Sequence, residues 1–119
     1  MTEENITCKG SSENLKALGQ MPIDACRKRL AELSKGLAHP ARVEIVRMLT
    51  NKPPEARCVC GDIVNALPLV QSSVSQHLKV LKETGWIQGE IDGPCVCYCT
   101  VEGIYEYYLA LIKRSLQGE

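Results

Sequence analysis

No apolar run approaches the roughly 18 residues that a membrane span needs, so no membrane is expected to take part. The first residues, Met1 to Asn5, carry acids and no apolar stretch. No secretory signal is therefore expected, and the expected setting is cytoplasmic. Internal repeats and low-complexity tracts are absent. There is no excess of charge of either sign, with 14 Lys+Arg against 14 Asp+Glu. That balance argues against a protein that coats nucleic acid by bulk charge. No C-x-x-C lies beside a βαβ pattern, which argues against a thiol oxidoreductase and, with no other catalytic constellation in view, against an enzyme.

What is present is a chain of 119 residues, 45% of them hydrophobic. That is one domain, or one domain with a short arm, of ordinary globular composition. Cysteine is the outlier: Cys8, Cys26, Cys58, Cys60, Cys95, Cys97 and Cys99. A disulfide scaffold wants an even count and a secretory context. An odd count in a cytosolic setting points instead to reduced thiols for metal or redox chemistry.

The balanced charge is unevenly spread. Residues 26–57 hold eight positive side chains (Arg27, Lys28, Arg29, Lys35, Arg42, Arg47, Lys52, Arg57) against three negative ones, and residues 83–119 are net −4. The basic segment is the expected phosphate-facing region.

Residues 1–21 show no sustained periodicity and read as an N-terminal arm. Residues 22–117 read as one domain. From Pro22 the pattern is helical, with Cys26, Leu30, Leu33 and Leu37 on one face and Pro22 at the first helical position. Pro40 opens a second helix, capped by His39 and ended by Asn51-Lys52-Pro53-Pro54. A short third helix puts Cys60, Ile63, Val64 and Leu67 on one face and closes at Pro68. A fourth runs from about Val70 to Thr84, with Val74, Leu78 and Leu81 as its apolar stripe and Gly85 as its stop. Two extended runs follow, 86–91 and 95–100, with Asp92-Gly93 as the hairpin turn. The last helix, from about Glu102 to Leu116, carries two apolar stripes: Tyr105, Leu109, Ile112, Leu116, and Ile104, Tyr108, Leu111. So wide an apolar face exceeds what one small core needs, and part of it is expected to pack on a second copy of the chain.

Two helices joined by a tight turn and followed by a hairpin describe a mainly α fold with a β-hairpin wing (α+β), a winged helix-turn-helix. The second helix of the pair has the polar face that a helix in the major groove requires. Gln71, Ser72, Ser73, Ser75, Gln76 and His77 can bond phosphates and base edges, and Lys79 and Lys82 add phosphate charge. His77 borders the apolar stripe, so it serves either as an anchor of the helix or as a DNA contact.

The stretch Leu37-Ala38-His39-Pro40-Ala41-Arg42-Val43-Glu44-Ile45-Val46 resembles the L-x-x-P-x-R-x-x-I stretch of ArsR/SmtB metalloregulatory repressors. Residues 71–81 look like that family's recognition helix, and Cys58-Val59-Cys60-Gly61-Asp62-Ile63 looks like the C-V-C-D metal-sensing motif of its arsenic and cadmium/lead branches. The three motifs stand in the right order, and the resemblance runs from about residue 23 to 112. The resemblance implies a homodimer joined by its first and last helices. It also implies a repressor that holds an inverted-repeat operator in double-stranded DNA until an effector binds.

With the family in view, Cys58 and Cys60 become the first-choice metal ligands. A helix N-terminus favours their thiolate form, and thiolates select soft ions. Residues two apart do not face each other in a regular helix, so chelation by both needs an unwound first turn. Ile63 stands where one arsenic-type arrangement has its third cysteine. Cadmium/lead-type relatives draw cysteines from the arm of the other subunit, and Cys8 lies in such an arm. Three thiolates suit As(III), Sb(III) or Pb(II) better than four-coordinate Cd(II), with Zn(II) a further soft-ion candidate. Cys95, Cys97 and Cys99 alternate along a strand and share a face. They form either a second soft-metal or redox site or the packing of the wing against the core. Cys26 reads as core. The last helix has no His or Cys, so the zinc site that other relatives build there is not expected.

Overall fold

The computed structural model describes residues 17–51, 71–92 and 95–117, with side chains left aside at Gln71 and at 90–97. These residues form four helices and a hairpin. In chain order they are α1 (Ile23–Gly36), α2 (Pro40–Thr50), α3 (Gln71–Thr84), β1 (Ile87–Asp92), β2 (Cys95–Thr100) and α4 (Ile104–Leu116). Cys8, Cys58 and Cys60, and the short helix expected to end at Pro68, lie outside the described residues.

Pro22 is the residue before α1, with extended backbone (φ −58°, ψ 150°), rather than its first helical residue. At α2 the expectation holds: His39 Nδ1 accepts from the Ala41 amide at 3.0 Å, and Pro40 follows at the first helical position. One otherwise unpaired donor of the helix end is thereby satisfied. Gly85 ends α3 with φ 103°, a left-handed conformation that glycine adopts without a Cβ clash. The Trp86 amide turns back onto Leu81 O at 3.0 Å, the long closing bond of a glycine-terminated helix.

The hairpin is antiparallel and pairs Ile87 with Thr100 through to Asp92 with Cys95. Asp92, expected in the turn, is thus the last paired residue of β1, and residues 93 and 94 make the connection. A proline just before β2 does not prevent Cys95 from pairing, because the missing donor is one residue outside the ladder.

The core forms where the helices meet. Leu33, Ile45, Val74, Leu81 and Leu111 have no exposed surface, and Leu49, Trp86, Ile87 and Tyr107 are nearly as buried. Each fully buried aliphatic side chain contributes about 1.5–3 kcal/mol relative to exposure. Helices α1 and α4 lie together, tied by Ser34 Oγ and the Tyr108 hydroxyl at 2.8 Å. Arg114 of α4 adds a donor bond to Met21 O at 2.7 Å and one to Cys26 Sγ at 3.2 Å. Cys26 is the fully buried free thiol expected of it. No helix among the described residues is long and apolar enough to cross a membrane.

Candidate nucleic-acid interface

The amphipathic pattern of α3 sets its orientation. Val74, Leu78 and Leu81 are 0%, 8% and 0% exposed and seat the helix on the core. Ser72, Ser75, Gln76, Lys79 and Lys82 are exposed on the other side, while Ser73 and His77 stand half-buried at the border. The exposed set offers hydroxyl, amide and ammonium groups, the mixture that bonds phosphate oxygens and base edges. The wing follows α3 after two residues, so helix and hairpin form one contiguous unit.

Three contacts fix the pose of α3. At its C-terminal end the Trp86 indole donates to Leu33 O of α1 at 2.6 Å and stands edge-on to Tyr108, with centroids 5.0 Å apart. Nearby, Arg29 of α1 donates to the Thr84 carbonyl at 3.1 Å, a cation placed at the negative end of the helix. Gly36 makes this approach possible. A Cβ there would meet Thr84 Oγ1 and would lie 2.6 Å from Trp86 Cδ1. Midway along α3, Arg42 of α2 reaches His77 Nδ1 at 3.2 Å.

Arg42 is the hub that sequence reasoning missed. Its Nε donates to Gly36 O at 2.9 Å and Nη2 to Lys35 O at 3.2 Å, so one guanidinium joins the end of α1, the start of α2 and the flank of α3. The other described arginines of the basic segment are also tied internally. Arg27 donates to Ser115 O, Arg29 to Glu32 and Thr84, and Arg47 pairs with Glu44. A count of formal charge therefore overstated what residues 26–57 present to phosphate. A guanidinium's planar fork suits backbone carbonyls as well as it suits phosphate. Lys28 and Lys35 remain exposed in that segment, beside Lys79 and Lys82 on α3.

His77 has a shifted titration. Burial first, then the neighbouring His39 and the Arg42 charge, hold it below the ordinary imidazole value. The His39 and His77 rings stand 4.5 Å apart.

On α4 the buried residues are Ile104, Tyr107, Leu111 and Ser115. Tyr105, Leu109 and Leu116 are 62%, 46% and 74% exposed, so one of the two expected stripes faces outward in the single chain. In the wing, Cys99 is buried and disulfide-bonded. In that state its sulfur is not a thiolate ligand. Among the described residues no group of three His, Cys, Asp or Glu side chains gathers to hold a metal ion. The Cys95 and Cys97 side chains lie outside the description.

A helix with a polar outer face that runs straight into a two-stranded antiparallel wing, backed by three further helices, defines the winged-helix class of regulators. Residues 39–88 match the family of bacterial regulatory proteins of the arsR type. The HTH-type transcriptional repressor SmtB of Mycobacterium tuberculosis (strain H37Rv) is 45% identical over 67 residues, which cover 56% of this chain and 47% of that protein. The chain thus spans about half the length of that relative. The uncharacterized HTH-type transcriptional regulator Rv0081 of the same strain is 30% identical over 97 residues, 81% of this chain and 82% of its own. Its crystal structure superposes with a TM-score of 0.55 at 32% identity, over 72% of this chain and 83% of that one. The NMR structure of the cadmium metal-sensor CMTR from Mycobacterium tuberculosis gives a TM-score of 0.50 at 28% identity, over 74% and 84% of the two chains. The chain belongs to the ArsR/SmtB family of transcriptional regulators.

Proposed function

We propose that the protein is a homodimeric transcriptional repressor, acting in the cytoplasm, that binds an inverted-repeat operator and releases it when As(III) or Sb(III) binds cysteine thiolates. The observation that carries the DNA half of this reading is the outer face of α3, exposed at Ser72, Ser75, Gln76 and Lys79 and held rigidly against α1 and α2. Gln71, Ser73 and His77 complete the proposed contact set. The exposed stripe of Tyr105, Leu109 and Leu116 supports dimerisation. A two-fold dimer presents two such helices to successive major grooves.

The effector half rests on cysteine chemistry. Cys58 and Cys60, with Cys8 as third ligand, form the proposed soft-ion site, and Pb(II), Cd(II) and Zn(II) are the competing ions. A cadmium sensor among the solved relatives supports a metal effector. Ligation by both Cys58 and Cys60 strains the chain just ahead of α3 and re-aims that helix. The test is a gel-shift titration of the wild type and of Cys58→Ser, Cys60→Ser and Cys8→Ser with As(III), Sb(III), Cd(II), Pb(II) and Zn(II). Release of DNA by As(III) at wild-type dose from the Cys58 and Cys60 variants overturns the site assignment.

The disulfide at Cys99 favours a second reading, thiol-redox sensing through the wing. Two thiols lose two electrons and two protons to a peroxide, which is reduced to water or alcohol, and a disulfide forms. Release of DNA by peroxide in metal-free buffer, reversed by dithiothreitol and absent in Cys99→Ser, selects this reading over metal sensing.

A further inference from the structure

We propose that Arg42 and His77 form a proton-sensitive latch that sets the pose of α3, with Arg42 as its positioning residue and His77 as the group that opens it. The proposal rests on reading α3 as the DNA-reading helix, but the latch itself is a property of the free protein.

A guanidinium has five N–H donors, no acceptor, and does not deprotonate in proteins. The 3.2 Å contact of Arg42 Nη1 with His77 Nδ1 therefore makes Nδ1 the acceptor. The ring is then neutral, with its proton on Nε2. A second proton could enter only at Nδ1, where it would convert the acceptor into a donor facing a donor. It would also set two cations in contact.

The surroundings reinforce that outcome. From α2, His77 meets the Arg42 guanidinium, and from the connection before α2 it meets the His39 ring at 4.5 Å between centroids. α1 contributes the Lys35 and Gly36 carbonyls, which hold Arg42 rather than His77. Among the described residues no carboxylate pairs with His77 to stabilise a charged ring. Burial adds to the same direction. Arg42 cannot retreat easily, because both of its other guanidinium nitrogens are anchored on α1. Protonation must therefore move His77 and, with it, the middle of α3.

The sign of the effect separates this device from a simple DNA contact. A histidine that only faces phosphate gains charge on acidification and strengthens binding. The latch predicts the opposite. For the domain itself the folded-state pKa lies below the unfolded value near 6.5. The latch's stabilisation is therefore present above that value and is lost as pH falls through the folded-state pKa.

The first measurement is ring-nitrogen NMR on the full chain. His77 is expected as the Nε2–H tautomer at about pH 7.5, titrating below the ordinary value near 6.5. The backbone amides of α3 are expected to move with the same midpoint while those of α4 do not. An Nδ1–H tautomer, or α3 amides that ignore the His77 titration, overturns the proposal whatever the protein does with DNA.

The second measurement is a gel shift with the duplex upstream of the protein's own gene. Between about pH 7.5 and pH 5.5 the wild type is expected to lose about tenfold in affinity as the latch opens. His77→Asn keeps a carbonyl acceptor near the Nδ1 position and cannot titrate, so its binding is expected to stay constant across that range. His39→Asn, which keeps an N-cap acceptor, is expected to keep the acid-driven loss with its midpoint moved to higher pH, because one neighbouring imidazole that lowers His77 is gone. A His77→Asn protein with the wild-type slope, or a wild type whose affinity is flat or rises with acid, overturns the latch. A duplex unbound at every pH refutes the DNA reading instead and leaves the latch to the NMR result.

Discussion

Helices α3 and α4 are both amphipathic and both bury one stripe in the same core, yet their outer faces are opposites. The outer face of α3 carries Ser72, Ser75, Gln76, Lys79 and Lys82, whereas that of α4 carries Tyr105, Leu109 and Leu116. A polar outer face gains nothing from apolar burial and is suited to hydrogen bonding with a charged, hydrated partner. An apolar outer face is costly in water and is relieved by a protein surface of the same kind. The contrast fits the two partners proposed for this small domain: nucleic acid for α3 and a second copy of the chain for α4.

The strongest way to break that contrast is to charge the apolar face. Leu109→Glu with Leu116→Glu is expected to turn the proposed dimer into a monomer by analytical ultracentrifugation. Operator affinity should fall by about 100-fold or more, because two linked reading helices bind far better than one. Unchanged sedimentation would remove the α4 assignment. Next in size is Gln76→Ala, expected to cost about 1–3 kcal/mol of operator binding while leaving binding to unrelated DNA nearly unchanged. Equal losses on both duplexes would make Gln76 a phosphate contact. Gly36→Ala tests the seat of α3, since the added methyl overlaps Thr84 and Trp86. It is expected to destabilise the fold by about 1–3 kcal/mol in urea unfolding. The smallest expected effect is that of Lys79→Ala. The slope of log affinity against log salt should fall by about one, with no change in sequence preference.

Much of this organisation was legible in the chain. Val74, Leu78 and Leu81 recur at helical spacing, and Gly85 marks where that helix must stop, so α3 and its buried side followed from periodicity alone. The strands followed from their flanking turn residues, with the turn itself misplaced by one position. On α4 the two apolar stripes were visible, but which one faces the core was not. Tyr107 and Ser115 proved to be buried, because neighbouring stripes differ by one 100° step and only the packing of α1 decides between them. The arginines were the least legible. Formal charge cannot show that Arg42 ends among the carbonyls of α1, since those carbonyls are left free by the end of that helix and come within reach only in the folded chain. The cysteines share that difficulty. Spacing limits which thiols can meet, but it did not show that Cys99 is disulfide-bonded.

Trp86 is the chain's only tryptophan. Its indole is 2% exposed and hydrogen-bonded to Leu33 at the seam between α1 and the end of α3. The protein therefore carries a built-in optical gauge at the joint between α1 and the end of α3. Indole emission is blue-shifted in a dry, apolar setting and moves to longer wavelength when water or a new dipole arrives. Any effector, oxidant or proton that re-seats α3 should be visible as a change in that single emission band, with no label and no DNA present. Ligands that bind without moving the helix would leave the band unchanged, so unproductive occupancy and true switching can be told apart in one cuvette.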